Sequence, residues 1–177
     1  MFKDLTKVLS ADILAQLLLL LSLPILSRLY SPEDFGHFAL TTSIAWILVV
    51  LFTGKLELLT ITMSNNLKAR DFVIALSTIV LLLSLLAFVF IILFFDVFQL
   101  FEIDDTFKYH TVILLTIVFG LNEILKSYAN FLGNFALIAK VALLNSTILV
   151  FFAIIYPMFY EDDLYIGLIL SVILGQF

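Results

Sequence analysis

The segment FVIALSTIVLLLSLLAFVFIILFF, residues 72–95, contains no charged side chain. At 1.5 Å of helical rise per residue it is long enough to cross a hydrocarbon core about 30 Å thick, which takes about 20 apolar residues. Residues 141–160 are likewise uncharged. The rest of the chain agrees: 63% of its 177 residues are hydrophobic, 13% are charged, 19 are Phe, and the mean hydropathy is +1.21. A soluble domain of this size buries only about 70% of its unfolded surface, so much of this apolar surface would be left in water. The composition therefore predicts an all-α, polytopic transmembrane helix bundle whose solvent is lipid.

Working outward from residues 72–95, further apolar stretches cover 11–29, 38–59, 109–125 and 141–160, and a last one covers 164–177. The expectation is five full spans plus an incomplete sixth, forming one transmembrane lobe over 1–177. Lys3 and Lys7 before residues 13–26 give a signal-like start, but no small-residue cleavage site follows, so the stretch reads as a first helix. Pro24 lies inside that helix and predicts a kink near residues 20–24. Ser31, Pro32, Glu33 and Asp34 form a helix-start signal, with a capping hydroxyl, a proline at the first helical position and carboxylates at the positive end of the dipole.

Basic residues separate by connection. Lys3 and Lys7, then Lys68 and Arg70, then Lys126 and Lys140 mark one side. The other side has only Arg28 and Lys108, and carries Glu33, Asp34, Asp96, Glu102, Asp104, Asp105 and Glu161 to Asp163. Basic residues of short loops stay in the cytoplasm, so the N-terminus is expected there. With a net charge of −5 and scattered Lys and Arg, nucleic acid is not an expected partner. The absence of cysteine excludes disulfides, thiolate metal sites and a cysteine nucleophile. His37 and His110 stand alone near helix ends, without metal-ligand spacing.

Polar groups inside spans each need a reason, because a charge at the centre of a membrane helix costs about 2.5–3.5 kcal/mol. Asp12 and Gln16 share a face of the first helix at i,i+4 spacing. Lys55 and Glu57, near the end of the second helix, are two apart and so belong on different faces. Asn122, Glu123 and Lys126 allow a Glu–Lys pair on the fourth, and Asn145, Ser146 and Thr147 add neutral polarity to the fifth. Two readings stand side by side: interfacial anchoring and helix pairing, or a polar cavity opening to the cytoplasm. No enzyme signature accompanies these residues, and neither a catalytic group nor a metal or cofactor is expected.

The segment from Leu23 to Gly36, LPILSRLYSPEDFG, resembles the first-loop motif of Wzx-type O-antigen flippases, within the multidrug/oligosaccharidyl-lipid/polysaccharide flippase superfamily. Residues 54–58 (GKLEL), 135–140 (FALIAK) and 167–170 (GLIL) with Gly175 and Gln176 follow the same order and spacing. Residues 127–134 (SYANFLGN) depart from the family pattern in carrying no Lys or Arg. The resemblance implies two six-helix lobes and export of undecaprenyl-pyrophosphate-linked oligosaccharide across the bacterial inner membrane. The chain would supply the first lobe, so the partners it implies are membrane lipids, the lipid-linked oligosaccharide and a second lobe on another chain. On this expectation the chain does not transport alone. Asp12, Gln16, Lys55, Glu57, Asn122, Glu123 and Lys126 are the candidate substrate-pathway residues, with Lys55 and Lys126 as the phosphate contacts. A drug exporter of the same superfamily, or a membrane-embedded polysaccharide polymerase or acyltransferase, is the alternative.

Overall fold

The computed structural model describes residues 2–93, 106–160 and 164–176, with side chains for all of these except 2–9, 11, 12 and 106–108. The acidic connections at 94–105 and 161–163 and the side chain of Asp12 thus lie outside the described residues. Among the described residues six α-helices follow one another: α1 Phe2–Leu29, α2 Pro32–Thr53, α3 Asn66–Leu93, α4 Thr106–Phe131, α5 Phe135–Ile155 and α6 Leu164–Gln176. Short 3-10 helices at Leu56–Thr62 and Tyr156–Met158 complete the architecture, and there is no strand among the described residues. This is an all-helical membrane protein. Among the described residues four segments are long and apolar enough to span: Pro32–Thr53, Asn66–Leu93, Tyr109–Phe131 and Phe135–Met158. Ile13–Leu29 and Leu164–Gln176 are shorter apolar helices.

The expected start of α2 is built as the sequence signals. The Ser31 N–H and hydroxyl donate to Asp34 Oδ2 at 2.9 and 2.6 Å, and the Asp34 N–H donates back to Ser31 Oγ at 3.1 Å. This reciprocal capping box satisfies N–H groups that the first helical turn leaves without partners. The expected end of that helix differs. Instead of running to residue 59, α2 stops at Thr53, and Gly54 and Lys55 take left-handed conformations with φ of 55° and 57°. Glycine tolerates that region freely, whereas lysine does so at a cost of about 1–2 kcal/mol. Residues 56–62 then continue as a 3-10 helix, which hydropathy alone does not distinguish from the α-helix before it. The fifth helix also begins earlier than residue 141: Gly133 turns the chain with φ 68°, and the Asn134 side chain caps α5 by accepting from the Leu137 N–H at 3.2 Å.

The chain forms two compact units, residues 1–40 with 132–177, and residues 41–131. In the first, α1 and α6 pack on α5. Its core joins Leu26, Tyr30, Ala153 and Leu168, with Phe35 and Phe38 against it. Close approach is set by glycine: a Cβ on Gly175 would lie 2.8 Å from the Asn145 backbone oxygen, and one on Gly167 would run into the Tyr156 ring. Small residues at such contacts are how membrane helices gain van der Waals packing in a solvent as apolar as their side chains. In the second unit, α3 packs on α4 and the first 3-10 helix packs on both. Its core is Val73, Leu76, Val80 and Ile124, flanked by Phe52, Phe72 and Tyr128.

Candidate functional site

The break after α2 carries the most unusual polar group of the second unit. Glu57 opens the 3-10 helix with its side chain only 2% exposed. Neither carboxylate oxygen has a hydrogen-bond partner among the described residues, and the compensating charge is Lys55, whose Nζ lies 3.4 Å from Oε1. The expectation that these two residues occupy different faces is corrected. It assumed helical spacing, and the left-handed backbone at Gly54 and Lys55 replaces that spacing with a turn that folds the ammonium back over the carboxylate. The Lys55 side chain stays 45% exposed, so one member of the pair reaches the surface while the other is enclosed.

Helix α4 supports this turn. The buried Ser127 hydroxyl donates to the Glu57 carbonyl, and the Lys55 N–H donates to Thr53 Oγ1 at 3.2 Å. Four residues before Ser127, Glu123 pairs with Lys126 at 3.6 Å, as its i,i+3 spacing allows. Asn122 is half-buried on the same helix and takes part in a further interaction. The turn, α3 and the later part of α4 thus gather Lys55, Glu57, Glu123 and Lys126 in one unit. Asp12 and Gln16 belong to the other unit.

Gln16 lines a groove of about 210 Å³ between α1, α5 and α6, together with Asn145, Ser146 and Gln176. At the opposite end of the same unit sits a contact that sequence reasoning missed. Tyr30 is buried, and its hydroxyl donates to the Ala153 carbonyl at 2.7 Å across 123 residues. In a regular helix that carbonyl would accept from the N–H four residues on, but residue 157 is proline and has none. Tyr30 replaces the missing donor. Burial, then the neighbouring Tyr156 and Asp34, raise the Tyr30 phenol above its ordinary range, which keeps the proton it donates. Pro157 was the available signal; its partner could not be read without the fold.

No family model, curated protein or solved structure matches the chain. The geometry therefore speaks for itself: a membrane bundle with an exposed lysine tethered to an enclosed carboxylate, and a separate polar groove.

Proposed function

We propose that this chain forms the first lobe of a flippase that moves undecaprenyl-pyrophosphate-linked oligosaccharide across the bacterial inner membrane, with its N-terminus in the cytoplasm. The observation that carries this reading is the turn at residues 54–57. It interrupts the backbone between two membrane helices and presents an ammonium beside an enclosed carboxylate. Helix ends and the unwound backbone beside them are where transporters place groups that meet charged ligands. Lys55 and Lys126, both about half exposed, are the cations that can meet a pyrophosphate through charge-assisted hydrogen bonds. The resemblance of residues 23–36 to the flippase first-loop motif supports the same reading.

Deleting the gene from its host tests it. Lipid-linked oligosaccharide should accumulate and surface polysaccharide should disappear. Intact polysaccharide with heightened sensitivity to cationic drugs would replace the flippase by a drug exporter, and export of single unpolymerised repeats would replace it by a polymerase. Orientation is tested by single cysteines at Ser64 and Asp104 in this cysteine-free chain. Asp104 should react with an impermeant reagent in intact cells and Ser64 should not; equal reactivity would reject the proposed topology.

A further inference from the structure

The 3-10 helix Leu56–Thr62 has its polarity reversed. In such a helix residues three apart lie one above the other, so Glu57 and Thr60 share an edge. That edge is turned into the protein, with both residues at most 2% exposed. The Ser127 hydroxyl of α4 fastens it by donating to the Glu57 carbonyl. The other two edges carry Leu56, Leu58, Leu59 and Ile61, all 45–58% exposed. Thr62, exposed beside them, turns its hydroxyl back onto the Leu59 carbonyl at 2.8 Å. A loop in water shows the opposite arrangement, with polar side chains outward and aliphatic ones inward. Polar inside and apolar outside is the pattern of a chain surrounded by lipid.

The flanks say what covers this surface. Leu51 before the segment and Leu67 after it are 68% and 61% exposed, and they belong to Pro32–Thr53 and Asn66–Leu93, both long and apolar enough to span. Exposed aliphatic surface thus recurs on both sides of the segment, in helices whose solvent is lipid. The segment sits where one span ends and the next begins, so its level is the boundary between acyl chains and headgroups. Its seven residues extend about 14 Å at 3-10 rise, too short to cross a bilayer and enough to lie along its surface. Lys68, exposed in the first turn of α3, has a stem long enough to reach phosphates from that level.

We infer that residues 56–62 lie along the bilayer surface, with Leu56, Leu58, Leu59 and Ile61 among the acyl chains of a phospholipid leaflet just beneath its headgroups. The partner is the leaflet itself: acyl chains meet four aliphatic side chains, and the phosphates above them meet the Lys68 ammonium. The connection between α2 and α3 is then a membrane contact and not a loop in water. Which leaflet it enters rests on the proposed orientation; the placement does not.

The full chain contains one tryptophan, Trp46, so Trp46→Phe gives a background in which a single new indole reports its surroundings. In proteoliposomes the indole of Leu58→Trp should be quenched about twofold more by phosphatidylcholine brominated near the headgroup end of its chains than by the same lipid brominated near the methyl end, as an apolar face about 5–10 Å deep predicts. Leu82→Trp, exposed in the middle part of Asn66–Leu93, should show the reverse order. Acrylamide in the aqueous phase should have little effect on either. Strong acrylamide quenching of Leu58→Trp, with none by either lipid, puts the segment in water and overturns the inference. Shielding from acrylamide and from both lipids means that protein covers it, whether a second copy, a second lobe or the other unit, and overturns it equally. Stronger quenching from the methyl end makes 56–62 part of a span and does the same. Ile61→Trp, on the same exposed surface, repeats the measurement and decides it should Leu58→Trp lose helix content. The leaflet is read separately from the Ser64 cysteine, so a wrong orientation is told apart from a wrong placement.

Discussion

The two units hold polar atoms in lipid by opposite means. In residues 41–131 the backbone is broken, and the break places a charged pair at a helix end where one member reaches the surface. In residues 1–40 with 132–177 the helices run on, and the groups are neutral: a phenol that replaces a proline's missing donor, and carboxamides meeting in a groove. Charge is tolerated where the chain can turn it outward, whereas mid-helix polarity must be uncharged and matched by a neighbour. If this contrast is right, the units should fail differently.

The largest effect is expected at the break. Lys55→Met leaves the enclosed Glu57 without its compensating charge and should lower stability in detergent by about 2–3 kcal/mol, less than the 3–5 kcal/mol of a fully buried pair because Lys55 is half exposed. Adding Glu57→Gln should recover most of the loss in thermal unfolding followed by circular dichroism. An unchanged midpoint for Lys55→Met alone would mean that the pair holds nothing in place.

In the other unit, Gly175→Ala should cost about 2 kcal/mol, since the new methyl meets a backbone oxygen that cannot rotate away and must push α6 from α5. Cysteine cross-linking between α5 and α6 should weaken, and the α3 to α4 packing should not respond. Tyr30→Phe comes next, at about 1–2 kcal/mol, by returning the Ala153 carbonyl to its unsatisfied state. Replacing Pro157 with Ala in the same protein should offset part of this by restoring a backbone donor. The smallest effect tests the first against its own unit: Lys126→Gln breaks the pair with the partly exposed Glu123 and should change stability by less than about 0.5 kcal/mol. A loss as large as that of Lys55→Met would show that burial is not what separates the two pairs.

Much of the helix inventory was legible because hydropathy and capping are local. Ser31 and Asp34 announced the start of α2, and most of the uncharged runs at 72–95 and 141–160 lies on the spanning segments Asn66–Leu93 and Phe135–Met158. The end of α2 was not legible. Leu56, Leu58 and Leu59 continue the apolar pattern past Gly54, and hydropathy records which side chains are apolar but not the sign of φ. The Glu123–Lys126 pair could be read from spacing within one helix. The groove could not, because Gln16, Asn145 and Gln176 become neighbours only when three helices pack, and each alone is an isolated polar residue in an apolar run.

The bond from Tyr30 to Ala153 also sets a timetable for biogenesis. Its donor and acceptor are 123 residues apart, and at about 5–20 residues per second the ribosome needs roughly 6–25 s to deliver the second after the first. Throughout that interval the tyrosine hydroxyl has been made and its acceptor has not. Residues 41–131 are contiguous and can be completed within the gap, whereas the unit that includes both chain segments must wait for α5. Helix α1 is therefore made before residues 41–131 yet meets α5 only after them, and a chaperone or insertase that shelters α1 would act during those seconds.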